Sequence, residues 1–125
     1  MLTNKINEIL EEYDFTDSII TDMRWEKSLL DFSITIDYNF NLPENEMKTK
    51  DLKLVCKNCI TINLNFARKS FDHIEPNQTN FYSWFTIVKY NFRKQDKDYI
   101  IELYTYEFDT PSISITCNSL ELHRY

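Results

Sequence analysis

No glycine occurs anywhere in this chain of 125 residues. Glycine is the residue that enters left-handed backbone without steric cost, so every tight turn here must be built from residues that carry a side chain. The absence also removes whole classes of site. A dinucleotide-binding GxGxxG loop, a P-loop and a GxSxG nucleophile elbow each need positions that only glycine tolerates. Asparagine is the natural substitute. Asn39, Asn41, Asn45, Asn58, Asn77, Asn80 and Asn118 fall at expected turns, loops or bulges, and Asn58 or Asn118 is expected at positive φ.

Helical spacing occurs once. Leu2, Ile6, Ile9, Leu10 and Tyr13 follow the i, i+3, i+4 rule, with Glu8, Glu11 and Glu12 off the stripe and Thr3 or Asn4 placed to cap the start. The rest of the chain has a period of two. Ile19, Thr21, Met23 and Trp25 alternate, and a turn at Lys27-Ser28 leads to Leu30, Phe32, Ile34, Ile36 and Tyr38, which predicts a hairpin. Leu52, Leu54 and Cys56 open a further strand. Ile60, Ile62, Leu64 and Phe66 continue its parity, either as one interrupted strand or as two that meet near Asn58. Residues 39–51 and 67–83 read as loops. Trp84 to Phe92 and Tyr99 to Tyr106 form a second hairpin, and Ile113, Ile115 and Cys117 begin the last strand. Its parity flips to Leu120 and Leu122, so a bulge is expected at Asn118-Ser119. With no helices between strands, the sheet should be antiparallel. The expected fold is α+β: one domain over 1–125, with the N-terminal helix packed on a mainly antiparallel, curved sheet of about six or seven strands. An aromatic content of 15% is ample for its core.

Charge is uneven. Residues 1–46 carry eleven acidic and three basic side chains, whereas residues 47–125 carry nine and eleven. An acidic N-terminal third repels phosphate backbones and suits a basic protein partner. Nucleic acid is therefore not an expected partner. The start, with Glu8, Glu11 and Glu12 among its apolar residues, is unlike a signal peptide, and no apolar run reaches the ~18 residues of a membrane span. Three cysteines fit reduced thiols, so a cytoplasmic location is expected. The oligomeric state stays open.

No motif carries recognisable catalysis. Cys56-Lys57-Asn58-Cys59 is a CxxC, but it lies in a β-period segment with no helix after it, and in an extended strand its thiols point to opposite faces. Cys117, His73 and His123 do not complete a zinc pattern with it. Buried structural thiols are expected instead. Asp14, Asp17 and Asp22 cluster within nine residues but lack calcium-loop spacing, so no metal and no cofactor is expected. His73, near Asp72 and Glu75, is the best candidate for a general base, and nothing nearby offers a nucleophile. Tyr104, Tyr106 and Phe108 share a face and form the candidate exposed aromatic patch.

The helix followed by Thr16-Asp17-Ser18-Ile19-Ile20, the strand Leu30-Asp31-Phe32-Ser33-Ile34-Thr35-Ile36-Asp37, the strand Leu52 to Cys59 and the closing Ile113-Ser114-Ile115-Thr116-Cys117 form a pattern over most of the chain. It resembles small bacterial β-rich families, some of them immunity proteins that neutralise polymorphic toxins. Where such families place a histidine before the Asp-Ser pair, Thr16 stands here. The resemblance implies a protein-binding role without catalysis. The leading expectation is a non-enzymatic protein-binding module, with Asp14, Asp17, Asp22, Asp31, Asp37, Tyr104 and Tyr106 as partner-binding residues and a basic toxin domain as the concrete partner. The alternatives are a small-molecule or apolar-ligand carrier with an aromatic-lined pocket, and an enzyme built on His73.

Overall fold

The computed structural model describes residues 1–26, 29–38, 51–65, 85–105 and 108–124. Among the described residues one short helix, α1 (Ile6–Glu12), precedes six strands: β1 (Ile19–Trp25), β2 (Phe32–Asp37), β3 (Asp51–Leu64), β4 (Lys89–Gln95), β5 (Asp98–Tyr104) and β6 (Ile113–Arg124). They form one sheet in the order β1-β2-β3-β6-β5-β4, and every pairing is antiparallel. The protein is therefore mostly β, with a seven-residue helix, a looser match to α+β than expected.

Two local tethers shape the sheet. Ile19 of β1 bridges Thr86, just before β4, and the Ile87 N–H donates to the Ser18 carbonyl at 2.8 Å. The two outermost strands thus meet at one end, as a curved sheet requires. At the other tether, Thr3 bridges Leu122, taking the side of β6 that β5 leaves after Cys117. This bridge draws Leu2 and Thr3 out of the expected helix. Thr3 is not the N-cap. That position is Lys5, and the Thr3 hydroxyl instead accepts the Lys5 N–H at 3.1 Å and donates to Glu8 at 2.6 Å.

The core follows the apolar alternation. Ile34, Ile36, Leu52, Leu54, Ile101, Leu103, Ile113, Ile115 and Leu122 are completely buried on one face, and Ile9 of α1 and Phe15 cover them. Each such side chain contributes roughly 1.5–3 kcal/mol by leaving water. Around Phe15 sit the rings of Tyr13, Tyr38, Tyr90 and Phe92, at centroid distances of 5.5–6.3 Å.

Alternation breaks at three places. A register shift between Ile20 and Asp22 leaves Thr21 without a partner on β2 and sets Ile20 and Met23, three apart, opposite Ile36 and Ile34. Asn58 adopts φ 52°, as expected for one of the two asparagines; Asn118 is not among the positive-φ residues. Asn58 and Lys57 lie opposite Asn118 and Ser119, and both strands change parity there. A further shift between Cys59 and Thr61 leaves Ile60 unpaired with β6. One continuous strand therefore runs through Asn58. The expectation of Ile60 as a core-facing residue fails, because the two irregularities turn it outward, whereas Leu64 keeps the parity of Ile62, opposite Ile113, and is exposed at the end of the strand.

Candidate interaction surface

The face of the sheet opposite α1 carries charge. Register sets Asp22, Thr35, Lys53 and His123 in one cross-strand row, and Arg24, Ser33, Val55 and Glu121 in the next. Ion pairs run across these rows. Arg24 meets Asp22 at 2.6 Å, Lys53 meets Glu26 at 2.6 Å and Lys57 meets Asp31 at 2.7 Å. The Asp31 carboxylate also accepts the Asn58 N–H at 3.0 Å. These partners hold the carboxyl groups in their charged form. The Lys57 hydrogen bond, then the Asn58 N–H, keeps Asp31 below the usual carboxylate range, and Lys53 with Ser33 does the same for Glu26. Asp31 in turn raises Lys57. Ser33, Thr35 and Val55 are buried although they face outward, because the long charged side chains lie over them.

The fold gathers some of the expected binding residues and separates others. Asp22, Asp31 and Asp37 share this outer face with Glu26, Asp51 and Glu121, and Asp37 stands directly opposite Asp51. Against these six acids the same face sets Arg24, Lys53 and Lys57, with His123 paired to Glu121 at 2.9 Å. Asp14 and Asp17 lie elsewhere, at the corner between α1 and β1. There Asp14 Oδ1 accepts the Thr16 N–H at 3.0 Å, and the Asp14 N–H donates to the Tyr38 hydroxyl at 2.9 Å. Burial pushes the Tyr38 and Tyr90 phenols above their ordinary values. Tyr104 is buried, with the Lys89 ammonium 4.5 Å from its ring centre, so it is not the exposed anchor expected. Its strand ends there, and Phe108 is exposed. Tyr106, His73 and the loop 67–83 lie outside the described residues.

The cysteines differ from expectation in geometry. The left-handed turn at Asn58 puts Cys56 and Cys59 on the same face, not on opposite ones, and Cys59 stands directly across from Cys117. Three thiols therefore meet in the core. Cys56 and Cys59 are chemically quiet. The hydrogen bond with Cys117, together with complete burial, lifts Cys56 well above the usual thiol value, and burial pushes Cys59 up to about 11. Thiolate is the reactive form, so these are poor nucleophiles at neutral pH. Among the described residues no group of three or more His, Cys, Asp or Glu side chains is arranged to hold a metal ion.

One exposed feature was not anticipated. Trp25, Leu29 and Leu30 at the β1–β2 tip are all exposed, as is Ile60. The Cys59 N–H donates to the Leu30 carbonyl at 2.7 Å, which brings Ile60 beside the tip. Period-two reading assigned Leu30 and Ile60 to the buried face. For Leu30 the signal against it was the absence of glycine near Lys27-Ser28, which leaves a bulky Leu29 at φ 58° just before it; for Ile60 it is the irregularity of β3 between Asn58 and Thr61.

The grooves of this surface are open to solvent. One of about 290 Å³ is lined by Ile20, Thr21, Asp22, Met23 and Phe85, and one of about 360 Å³ by Lys53, Val55, His123 and Arg124. Neither is the closed apolar chamber that a ligand carrier requires. No described helix is long and apolar enough to cross a membrane.

No family model matches the sequence, and no curated protein matches it. Among solved structures, the fold is similar to that of an uncharacterized protein from Neisseria gonorrhoeae, with a TM-score of 0.57 and 9% sequence identity over 90% of this chain and 95% of that one. At that identity the likeness is one of fold alone.

Proposed function

We propose that this protein is a non-enzymatic protein-binding module acting in the cytoplasm, and most specifically an immunity-type protein that neutralises a toxin by covering a basic surface. The observation that carries this reading is the outer face of β1, β2, β3 and β6, where Asp22, Asp31 and Asp37 stand with three further carboxylates. A face of this sign steers a basic partner and suppresses acidic ones. Within it, Asp37 is the exposed acid, with Asp51 rather than a cation opposite it, so it is the residue with most to gain from an incoming Lys or Arg. The narrower immunity reading rests on the sequence resemblance.

The test is binding to a basic toxin domain, sought first among the products of the neighbouring genes. The association rate should fall about tenfold or more between 50 and 300 mM salt. Asp37→Asn should lower it several-fold at low salt. Absence of binding, or an association rate indifferent to salt, would overturn the reading.

A further inference from the structure

We propose that Cys59 and Cys117 are a covalent modification site, at which a small-molecule disulfide oxidises the two thiols to a cross-strand bond between β3 and β6. Register sets the two residues directly opposite each other, and both face the core. The backbone decides how close they stand. The Cys59 N–H donates to the Leu30 carbonyl at 2.7 Å, on the β2 side of its strand and away from β6. On β6, the Ser112 carbonyl accepts the Asn65 N–H at 2.8 Å, so Ser112 turns its backbone groups toward β3. Cys117 lies an odd number of residues further on, and its pairing with β5 runs without irregularity, so it turns its own groups toward β5. Neither cysteine therefore spends its backbone hydrogen bonds on the other. They form the closer of the two antiparallel arrangements, with Cα atoms about 4.5 Å apart. A disulfide spans Cα separations of roughly 4.4–6.8 Å.

The third thiol is the competitor, and its position sets it aside. Cys56 stands opposite Phe32 on β2 and Leu120 on β6, so it faces no cysteine across either ladder. It is completely buried, whereas Cys59 is partly exposed and is where an oxidant enters. In the reduced protein the Cys59 thiol donates to the Cys56 carbonyl at 3.3 Å, and rotation about its Cα–Cβ bond releases it toward Cys117. The chemistry runs as two exchanges. Cys59 gives its proton to solvent, and its sulfur attacks the small disulfide, which forms a mixed disulfide and expels one small thiolate. Cys117 then gives up its proton and attacks the Cys59 sulfur. The mixed bond breaks, the bond between the two strands forms, and the second small thiolate leaves. The protein thiols lose two electrons and two protons, and the small disulfide becomes two small thiols. Burial keeps the Cys59 thiol protonated at neutral pH, so the first exchange is slow and the pair closes only under excess oxidant.

The site involves no other protein, so it stands or falls separately from the toxin-binding reading. The test is to incubate the folded full chain at neutral pH with excess oxidised glutathione, quench with acid, alkylate the remaining thiols and map the peptides by mass. The chain should lose the mass of two hydrogen atoms, keep one alkylatable thiol at Cys56, and yield a peptide joining Cys59 to Cys117. Cys117→Ser should stop at a glutathione adduct on Cys59, and Cys56→Ser should still close. The oxidised wild type should unfold at a higher urea concentration than the reduced form, because the bond restricts the unfolded chain. A midpoint that is unchanged or lower overturns the proposal. So does a wild type left with three free thiols or with a lasting glutathione adduct. In an unfolded chain the shortest loop closes at least entropic cost, which joins Cys56 to Cys59. That product, or a bond between Cys56 and Cys117, overturns the proposal as well. Should a variant fail to fold, the wild-type map alone decides among the three pairings.

Discussion

Strand β1 ends in two turns built on one backbone device, and they use it differently. At its start, Asp17 takes φ 68°; beyond its end, Leu29 takes φ 58°. Both conformations belong by default to glycine, which this chain lacks. Aspartate is one of the few side chains that tolerate the left-handed region, and its place here has a structural purpose. Its N–H donates to the Ile87 carbonyl at 2.7 Å, fixing the strap that brings the two outermost strands together. Next to it, Phe15 is wholly buried among four aromatic rings. Leucine has no such tolerance, and around it the apolar side chains face solvent. The first turn serves the fold. The second holds a bulky residue in the left-handed region where its side chain is exposed.

The largest expected effect separates the two turns by their packing. Phe15→Ala empties the centre of the aromatic cluster and should cost about 3–5 kcal/mol in urea unfolding. Leu30→Ala removes an exposed side chain and should cost less than about 0.5 kcal/mol at low micromolar concentration. Comparable losses for both variants in the dilute protein would mean that the tip belongs to the core, and the contrast would collapse.

A smaller effect tests the backbone itself. Leu29→Gly relieves the left-handed strain, worth about 1–2 kcal/mol, against the entropy of a freer unfolded chain, about 0.4–1 kcal/mol. The folded monomer should gain about 0.5–1 kcal/mol. Asp17→Gly relieves little strain and should lose about 0.5 kcal/mol. Opposite signs in chemical denaturation sharpen the comparison. Two losses would show that Leu29 sits without strain.

These particulars explain what was legible in the sequence. The helix at Ile6 and Ile9 and the two hairpins follow from local pattern, and the structure holds them, although Tyr13 is already extended and the second hairpin runs over Lys89–Gln95 and Asp98–Tyr104, shorter at its start than expected. The neighbours β3–β6 and β5–β6 were not legible, because pairing between distant segments leaves no trace in spacing. Thr3 shows the same limit: its capping role gave way to a bridge with Leu122, more than a hundred residues along. Period-two reading fails at Thr21, Asn58 and Ile60 for a different reason. One irregular residue reverses the face of everything after it. That reversal joined the thiols of Cys56 and Cys59, and it exposed Ile60. Part of the candidate surface was visible as composition, through Asp22, Asp31 and Asp37. Its apolar centre was not, since Leu30 obeys the alternation of β2 yet lies before the strand begins at Phe32.

The smallest effect concerns the charged border of the tip. Asp31 and Glu26 are held below their ordinary values of 3.8 and 4.5, so the folded chain keeps them ionised more readily than the unfolded chain does. Their contribution is complete above those ordinary values. It declines as pH falls from about 4.5, and it is gone once the folded groups are protonated as well. Lys57 works in the opposite direction. Raised above 10.5, it contributes fully below that value and loses its contribution only as pH rises through its folded value. The pairs should therefore act across the whole range between these limits. Partly exposed pairs contribute little, about 0.2–1 kcal/mol each. Replacing both acids, Glu26→Gln with Asp31→Asn, should lower the urea midpoint at pH 7 by a small, measurable amount. The difference from wild type should shrink as pH falls below 4.5 and vanish once the folded carboxyl groups are protonated. A difference that persists unchanged in acid would assign the loss to the hydrogen bonds of Asn58 and Ser33 rather than to charge.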